Sequence, residues 1–211
     1  MQAIVNAVRE RDLAAQVVAV VSDKADAPGL KWAQAQGLQT HVLKPGDYLN
    51  REAYDQALAQ AVQGYCPDYV LLAGFMRILS DDFVQQFAGR LINIHPSLLP
   101  SFPGLRTHEQ ALKTGVQWHG CTVHFVTPAL DSGPIIAQAA VPVQANDTAQ
   151  TLADRVLAAE HHLYVDVVAW LVAGAVQLLA DGRVLVDQTS SRAYVLPSLN
   201  GQGAQLKLIK A

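Results

Sequence analysis

Apolar positions along the first half of the chain alternate between two periods. Residues 2–13 place Ile4, Val5, Val8 and Leu13 on one helical stripe. The run Gln-Val-Val-Ala-Val-Val at 16–21 is continuous and β-branched, as in a strand buried on both faces. A helix over about 27–36 follows, closed by Gly37, and then a short strand at 40–43. Asn50 can cap a helix over 51–64, and 68–73 reads as another buried strand. Ser80-Asp81 starts a helix that ends near Ala88-Gly89, and 91–95 is the next strand. This alternation predicts an α/β fold: an open, mostly parallel twisted sheet with helices on both faces. The second half reads differently. A proline-rich loop at 96–104 precedes a short helix at 107–114. Two strands at 119–126 and 134–143 are joined by a turn at 128–133 and predict an antiparallel extension. A long amphipathic helix spans 148–172 with Asp147 as its N-cap, and Asp181-Gly182 marks a hairpin between 176–179 and 184–186. The pattern fades beyond 187. It predicts one domain over 1–187 and a poorly ordered tail over 188–211.

Composition narrows the class. Hydrophobic residues make up 51% of the 211 and charged residues 16%, enough for a sizeable core. The net charge of -3 and the lack of a basic stripe argue against a nucleic-acid partner. Apolar runs are broken before they reach a membrane span, and no signal peptide is visible. Cys66 and Cys121 form neither a disulfide framework nor a metal spacing. A reducing cytoplasm is the expected setting, with no membrane partner.

The candidate chemistry begins at Leu91-Ile-Asn-Ile-His-Pro96. Strand alternation points Asn93 and His95 to one face and Ile92 and Ile94 to the other. Ligands bind at the carboxyl ends of such strands, and Pro96 stops the ladder there. The plainer reading is a hydrogen-bonded polar pair serving structure. Asp131 lies in the Gly/Pro-rich turn Pro128–Pro134, where Asp commonly bonds nearby amides. It becomes a catalytic candidate only if that turn folds over the end of the Asn93/His95 strand. Asn offers a neutral donor for an oxyanion, His a proton near neutral pH, and Asp an anion that favours the imidazolium. Such a set, without a nucleophile, suits direct attack of an amine on an acyl carbon. The segment Gly74–Leu79 follows a strand. Phe75, Met76, Ile78 and Leu79 could wall an apolar slot and Arg77 could meet a carboxylate, or these could be a helix-entry loop with one surface Arg. His119 and His124, separated by an odd number, are not expected to share a metal. Cys121 reads as a small buried residue. Glu160 could be a solvated charge or a sugar-hydroxyl acceptor.

The segments Asn93–Pro100 with Ser101–His108, His119–Val126, Leu130–Pro134 and Ala73–Leu79 together resemble the signature of formyltransferases that use 10-formyltetrahydrofolate. The likeness runs from residue 1 to about 187 and is strongest to the branch that acts on glycinamide ribonucleotide in purine synthesis. It implies formyl transfer to the amine of that substrate without a covalent enzyme intermediate and without a metal. It implies a catalytic trio of Asn93, His95 and Asp131, with His95 as proton donor. It also implies folate contacts from Arg51, Met76, Arg77, Ile78, Leu79, Asn93, Thr127 and Asp131, and a ribose contact from Glu160. A monomer or homodimer is expected. The family begins with a strand and a glycine-rich phosphate turn, whereas this sequence begins inside the following helix, so that cradle is expected to be missing from the chain as given. Two alternatives remain open: a related formyltetrahydrofolate hydrolase, and a non-catalytic folate- or nucleotide-binding module. A methionyl-tRNA formyltransferase is disfavoured, because Phe102–His108 departs from its pattern and the tail is too short for an RNA-binding domain.

Overall fold

The computed structural model describes residues 1–187, 193–195 and 207–208. It divides into two compact units, residues 1–91 and 92–211. The first unit carries α1 (Gln2–Glu10), β1 (Val20–Ser22), α2 (Pro28–Ala35), β2 (Thr40–Val42), α3 (Arg51–Gln63), β3 (Val70–Leu72) and α4 (Asp81–Gln86). β1 and β2 are parallel, with Val20 opposite Thr40 and α2 as the crossover. The strand expected from residue 16 starts only at Val20; residues 16–19 before it join no ladder. Helix ends follow the capping chemistry in the sequence. Asn50 Oδ1 accepts the Ala53 amide at 2.8 Å, and Ser80 Oγ accepts the Phe83 amide at 3.3 Å.

The second unit is built on β4 (Leu91–His95), α5 (Thr107–Thr114), β5 (Trp118–Phe125), β6 (Ile135–Pro142), α6 (Ala149–Val172), β7 (Val176–Leu178), β8 (Val184–Val186), β9 (Ala193–Val195) and β10 (Lys207–Leu208). Its sheet runs β10-β9-β6-β5-β4, with β4, β5 and β6 mutually antiparallel and β9 parallel to β6. Parallel strands in the first half and an antiparallel extension in the second give the expected mixed α/β class. Apart from β9 and β10, which the sequence pattern did not indicate, the expected tail lies outside the described residues.

α6 covers this sheet. Leu152, Val156, Ala159, Leu163 and Val167 recur at three- and four-residue steps and are all at most 1% exposed, packed on β5 and β6. Each of these Leu and Val side chains contributes about 1.5–3 kcal/mol when fully buried. The Tyr164 hydroxyl donates to Ile92 O at 3.1 Å and ties the helix to β4. The cap of α6 is Thr148 rather than Asp147: Thr148 and Thr151 form a reciprocal capping box. Asp147 instead holds Arg155 at 2.7 and 2.8 Å and accepts the Gln144 amide, which draws its carboxyl down to about 2. Among the described residues no helix is long and apolar enough to cross a membrane.

Candidate active site

Strand register decides what surrounds Asn93 and His95. In the antiparallel pair, Asn93 lies opposite His124 and His95 opposite Thr122. Directly opposed side chains share a face, so two residues of β5 flank the two candidates of β4. Asn93 Nδ2 is 3.3 Å from His124 Nε2, and His124 Nδ1 is 2.9 Å from Phe125 O. A carbonyl only accepts, so His124 Nδ1 carries the proton and its Nε2 accepts from Asn93. This fixes the Asn93 amide: Nδ2 faces His124 with one hydrogen and keeps a second hydrogen available. Burial lowers the His124 pKa, partly offset by the Phe125 carbonyl and the Asp131 charge, which keeps the ring in the neutral form this contact needs.

His95 is 5% exposed. Its Nε2 donates to Phe102 O at 3.0 Å, and its Nδ1 lies 3.5 Å from Asp131 Oδ2. Both ring nitrogens therefore face acceptors. A singly protonated ring can donate to one of them; the imidazolium satisfies both. The turn does fold over the end of β4, as catalytic use of Asp131 requires. Asp131, with a left-handed φ of 48°, places the same Oδ2 on the Gly104 amide at 2.8 Å. Gly133 explains why the turn reaches there: a Cβ at this position would lie 1.8 Å from Phe125 O, so only glycine lets the turn close on β5.

The loop that supplies Phe102 O and Gly104 N–H, residues 96–106, is held by side chains rather than by a ladder. Thr122 Oγ1 donates to Ser97 O and accepts the Leu99 amide. Gln138 Nε2 donates to Leu99 O and to Thr122 Oγ1, Ser97 Oγ donates to Ser101 O, and Thr107 Oγ1 donates to Pro96 O. These bonds hold Phe102 and Arg106 in left-handed backbone (φ 55° and 56°), a conformation that costs a non-glycine residue about 1–3 kcal/mol. Behind the loop His108 Nδ1 and His119 Nε2 are 3.1 Å apart. His119 is 1% exposed and its Nδ1 has no hydrogen-bond partner; burial, with His108 and His95 nearby, pulls its pKa down to about 4.

The other candidates are placed as follows. Glu160 lies on α6 in the second unit, and burial pushes its carboxyl up to about 7. Thr127 makes one turn bond, to Ala129 O at 3.3 Å. Arg51, Met76, Arg77, Ile78 and Leu79 belong to the first unit. Arg51 pairs with Glu52 at 3.5 Å on the surface. Met76 and Ile78 are 80% and 62% exposed. Arg77 lies over the Tyr54 ring, 4.8 Å from its centroid. His124, Thr122 and Gln138 were missed from the sequence as members of the site. Polar residues at 122 and 124 do repeat the alternation at 93 and 95, and only the register shows that the two pairs meet. Among the described residues no cluster of metal-ligating side chains is present.

The fold is mixed α/β, and a His–Asp pair and an amide oriented by a neutral histidine meet at one strand end. The family model for formyl transferases matches residues 1–168. The chain is 49% identical over 191 residues to phosphoribosylglycinamide formyltransferase of Escherichia coli (strain K12), covering 90% of this chain and 86% of that protein. The solved glycinamide ribonucleotide transformylase 1 from Symbiobacterium toebii superposes with a TM-score of 0.84 at 45% identity, covering 88% of this chain and 87% of that one. The phosphoribosylglycinamide formyltransferase from Anaplasma phagocytophilum superposes with a TM-score of 0.87 at 39% identity, covering 94% and 92%. The chain belongs to the formyl transferase family.

Proposed function

We propose that this enzyme transfers the formyl group of 10-formyltetrahydrofolate to the primary amine of glycinamide ribonucleotide, a step of purine synthesis in the cytoplasm. The observation that carries the chemistry is the His95–Asp131 pair beside an amide held by His124. The amine nitrogen attacks the formyl carbon and the carbonyl oxygen becomes an oxyanion. The second Nδ2 hydrogen of Asn93 stabilises that oxygen, joined by a His95 N–H that exchanges its protein acceptor for the substrate as charge develops. Asp131 supports the imidazolium and takes up the proton that the attacking amine releases, directly or through water. The intermediate collapses by breaking the bond to the folate nitrogen, which takes its proton from His95, and the proton held by Asp131 then returns to His95. Atoms balance with no covalent enzyme intermediate and no metal in any step. In this reading Met76, Ile78 and Leu79 hold the flat pterin, Arg51 and Arg77 meet the carboxylates of the folate, Thr127 borders the folate, and Glu160 accepts a ribose hydroxyl. The partners are these two small molecules, with neither nucleic acid nor membrane involved.

The test is the transfer itself, run on the wild type and on His95→Ala. Amine-dependent deformylation that disappears in the folded variant supports the reading. Deformylation that proceeds without amine and releases formate replaces it with the hydrolase. Binding of the folate without turnover replaces it with the binding module.

A further inference from the structure

The segment between β3 and α4, residues 73–80, presents Met76 and Ile78 to solvent, so nothing packed in front of them fixes its shape. What holds it lies behind, on α3. Asp55, 2% exposed, accepts the Ser80 amide on Oδ2 at 2.6 Å. Ser80 is also the cap of α4, so this carboxylate pins the point where the loop becomes helix. The preceding residue, Tyr54, is 2% exposed and carries the Arg77 guanidinium on its ring face at 4.8 Å. Tyr48 packs edge-on against that ring at 5.5 Å and fixes its plane. At the other end Gly74 turns the chain with a φ of 67°. Two adjacent helical residues thus grip the loop at positions 77 and 80, on either side of Ile78 and Leu79. Neither is needed to start α3, which Asn50 caps. A buried carboxylate serves little in a helix interior unless its bond is wanted.

We infer that Asp55 and Tyr54 are positioning residues for the folate: they hold residues 76–79 in the shape that receives the pterin, and they act on folate affinity rather than on the amine substrate or the chemical step. This rests on the assignment of the 76–79 loop to the folate.

The experiment measures KM for 10-formyltetrahydrofolate, KM for glycinamide ribonucleotide and kcat for Asp55→Ala, Asp55→Asn, Tyr54→Leu and Tyr54→Phe, with thermal melting of each. In Asp55→Ala and Tyr54→Leu the folate KM rises about tenfold or more, the size of a lost charge-assisted hydrogen bond or cation–π contact, while the amine KM stays within about twofold. Tyr54→Phe keeps the ring face, and Asp55→Asn keeps an acceptor for the Ser80 amide, so both recover most of the folate affinity. A merely structural role would lower kcat through a smaller active fraction and leave both KM values where they were. That pattern, or a parallel rise of both KM values, overturns the inference. If Asp55→Ala fails to fold, Tyr54→Leu and the conservative pair give the same discrimination. A wild type without folate-dependent transfer refutes the reaction itself; a normal wild type with unmoved folate KM in the variants refutes only the positioning role.

Discussion

Asp131→Asn separates the charge of the carboxylate from its geometry. One oxygen, Oδ2, accepts the Gly104 amide at 2.8 Å and faces His95 Nδ1 at 3.5 Å. The amide oxygen of Asn can occupy the same place, so the loop contact survives and only the negative charge is lost. The two side chains are 7% and 10% exposed, which limits screening by water. At an effective dielectric of about 20, unit charges at this separation attract by roughly 4–5 kcal/mol. The amide dipole retains part of this, so about 3–4 kcal/mol of attraction is lost where positive charge develops on the ring during the proposed step. The proposed chemistry needs that proton when the oxyanion forms, so the loss appears in kcat. A fall of roughly 10²–10³-fold follows, inside the range for losing a general acid. KM for both substrates changes little. Initial rates of formyl transfer over both substrate concentrations, with melting curves as a control, read the effect. A folded Asp131→Asn protein within tenfold of wild-type kcat would refute the His95–Asp131 mechanism. Asp131→Ala, which also frees the Gly104 amide, falls further and loses stability.

Three further outcomes follow from burial. Glu160 titrates near 7 rather than at its ordinary 4.5. The native fold favours the protonated form, so this group's contribution is present below 4.5 and is lost as pH rises through 7. Glu160→Gln is therefore more stable than wild type above pH 7, by up to about 3 kcal/mol in denaturant titrations; equal stability at pH 8 would refute this. His119 resists protonation to about 4 in the native state, whereas the unfolded chain takes a proton near 6.5. Stability thus declines as pH falls from 6.5 to 4, by about 3 kcal/mol at most, and His119→Asn flattens that slope; an unchanged slope between pH 7 and 4 would place the acid sensitivity elsewhere. Thr122→Val keeps the shape but leaves Ser97 O and the Leu99 amide without their partner, so stability falls by roughly 2–4 kcal/mol and kcat falls as the 96–106 loop loosens; a variant as stable as wild type would show that the hydroxyl is dispensable.

How far the sequence led depended on the range of the interaction. The period-two alternation at 91–95 is local, so the shared face of Asn93 and His95 was readable, as were the caps at Asn50 and Ser80 and the buried stripe of α6. The adjacent Asp147 and Thr148 both suit a cap, and only the hydrogen bonds assign the box to Thr148 and the Arg155 clamp to Asp147. Register is not local. No pattern in 118–125 states that His124 opposes Asn93, because a slip of one residue would have put Ile94 there. The same holds for Asp131, whose partner Gly104 is 27 residues away, and for Arg77 over Tyr54. For the family roles, the motif residues supplied the expectation, and the geometry shows that Thr122 and His124 of the His119–Val126 segment lie opposite His95 and Asn93.

Those neighbours explain how a strand end without a nucleophile can be an active site. An acyl-transfer intermediate needs donors already in place when charge appears on oxygen, since reorienting dipoles during the step costs much of their benefit. Asn93 alone has a free amide rotor, and His124, kept neutral by burial and held in one tautomer by donating to Phe125 O, removes that freedom. His95 alone could turn about its ring; acceptors on both nitrogens, Phe102 O and Asp131, stop it. Phe102 O is available only because the backbone there is left-handed, and the left-handed residues persist only because Thr122, Gln138, Ser97 and Thr107 bind the loop around them. The strain of the loop and the order of the site are thus the same set of hydrogen bonds. On the proposed mechanism, a substitution at Gln138 or Thr107 should therefore lower kcat although Asn93, His95 and Asp131 are all retained.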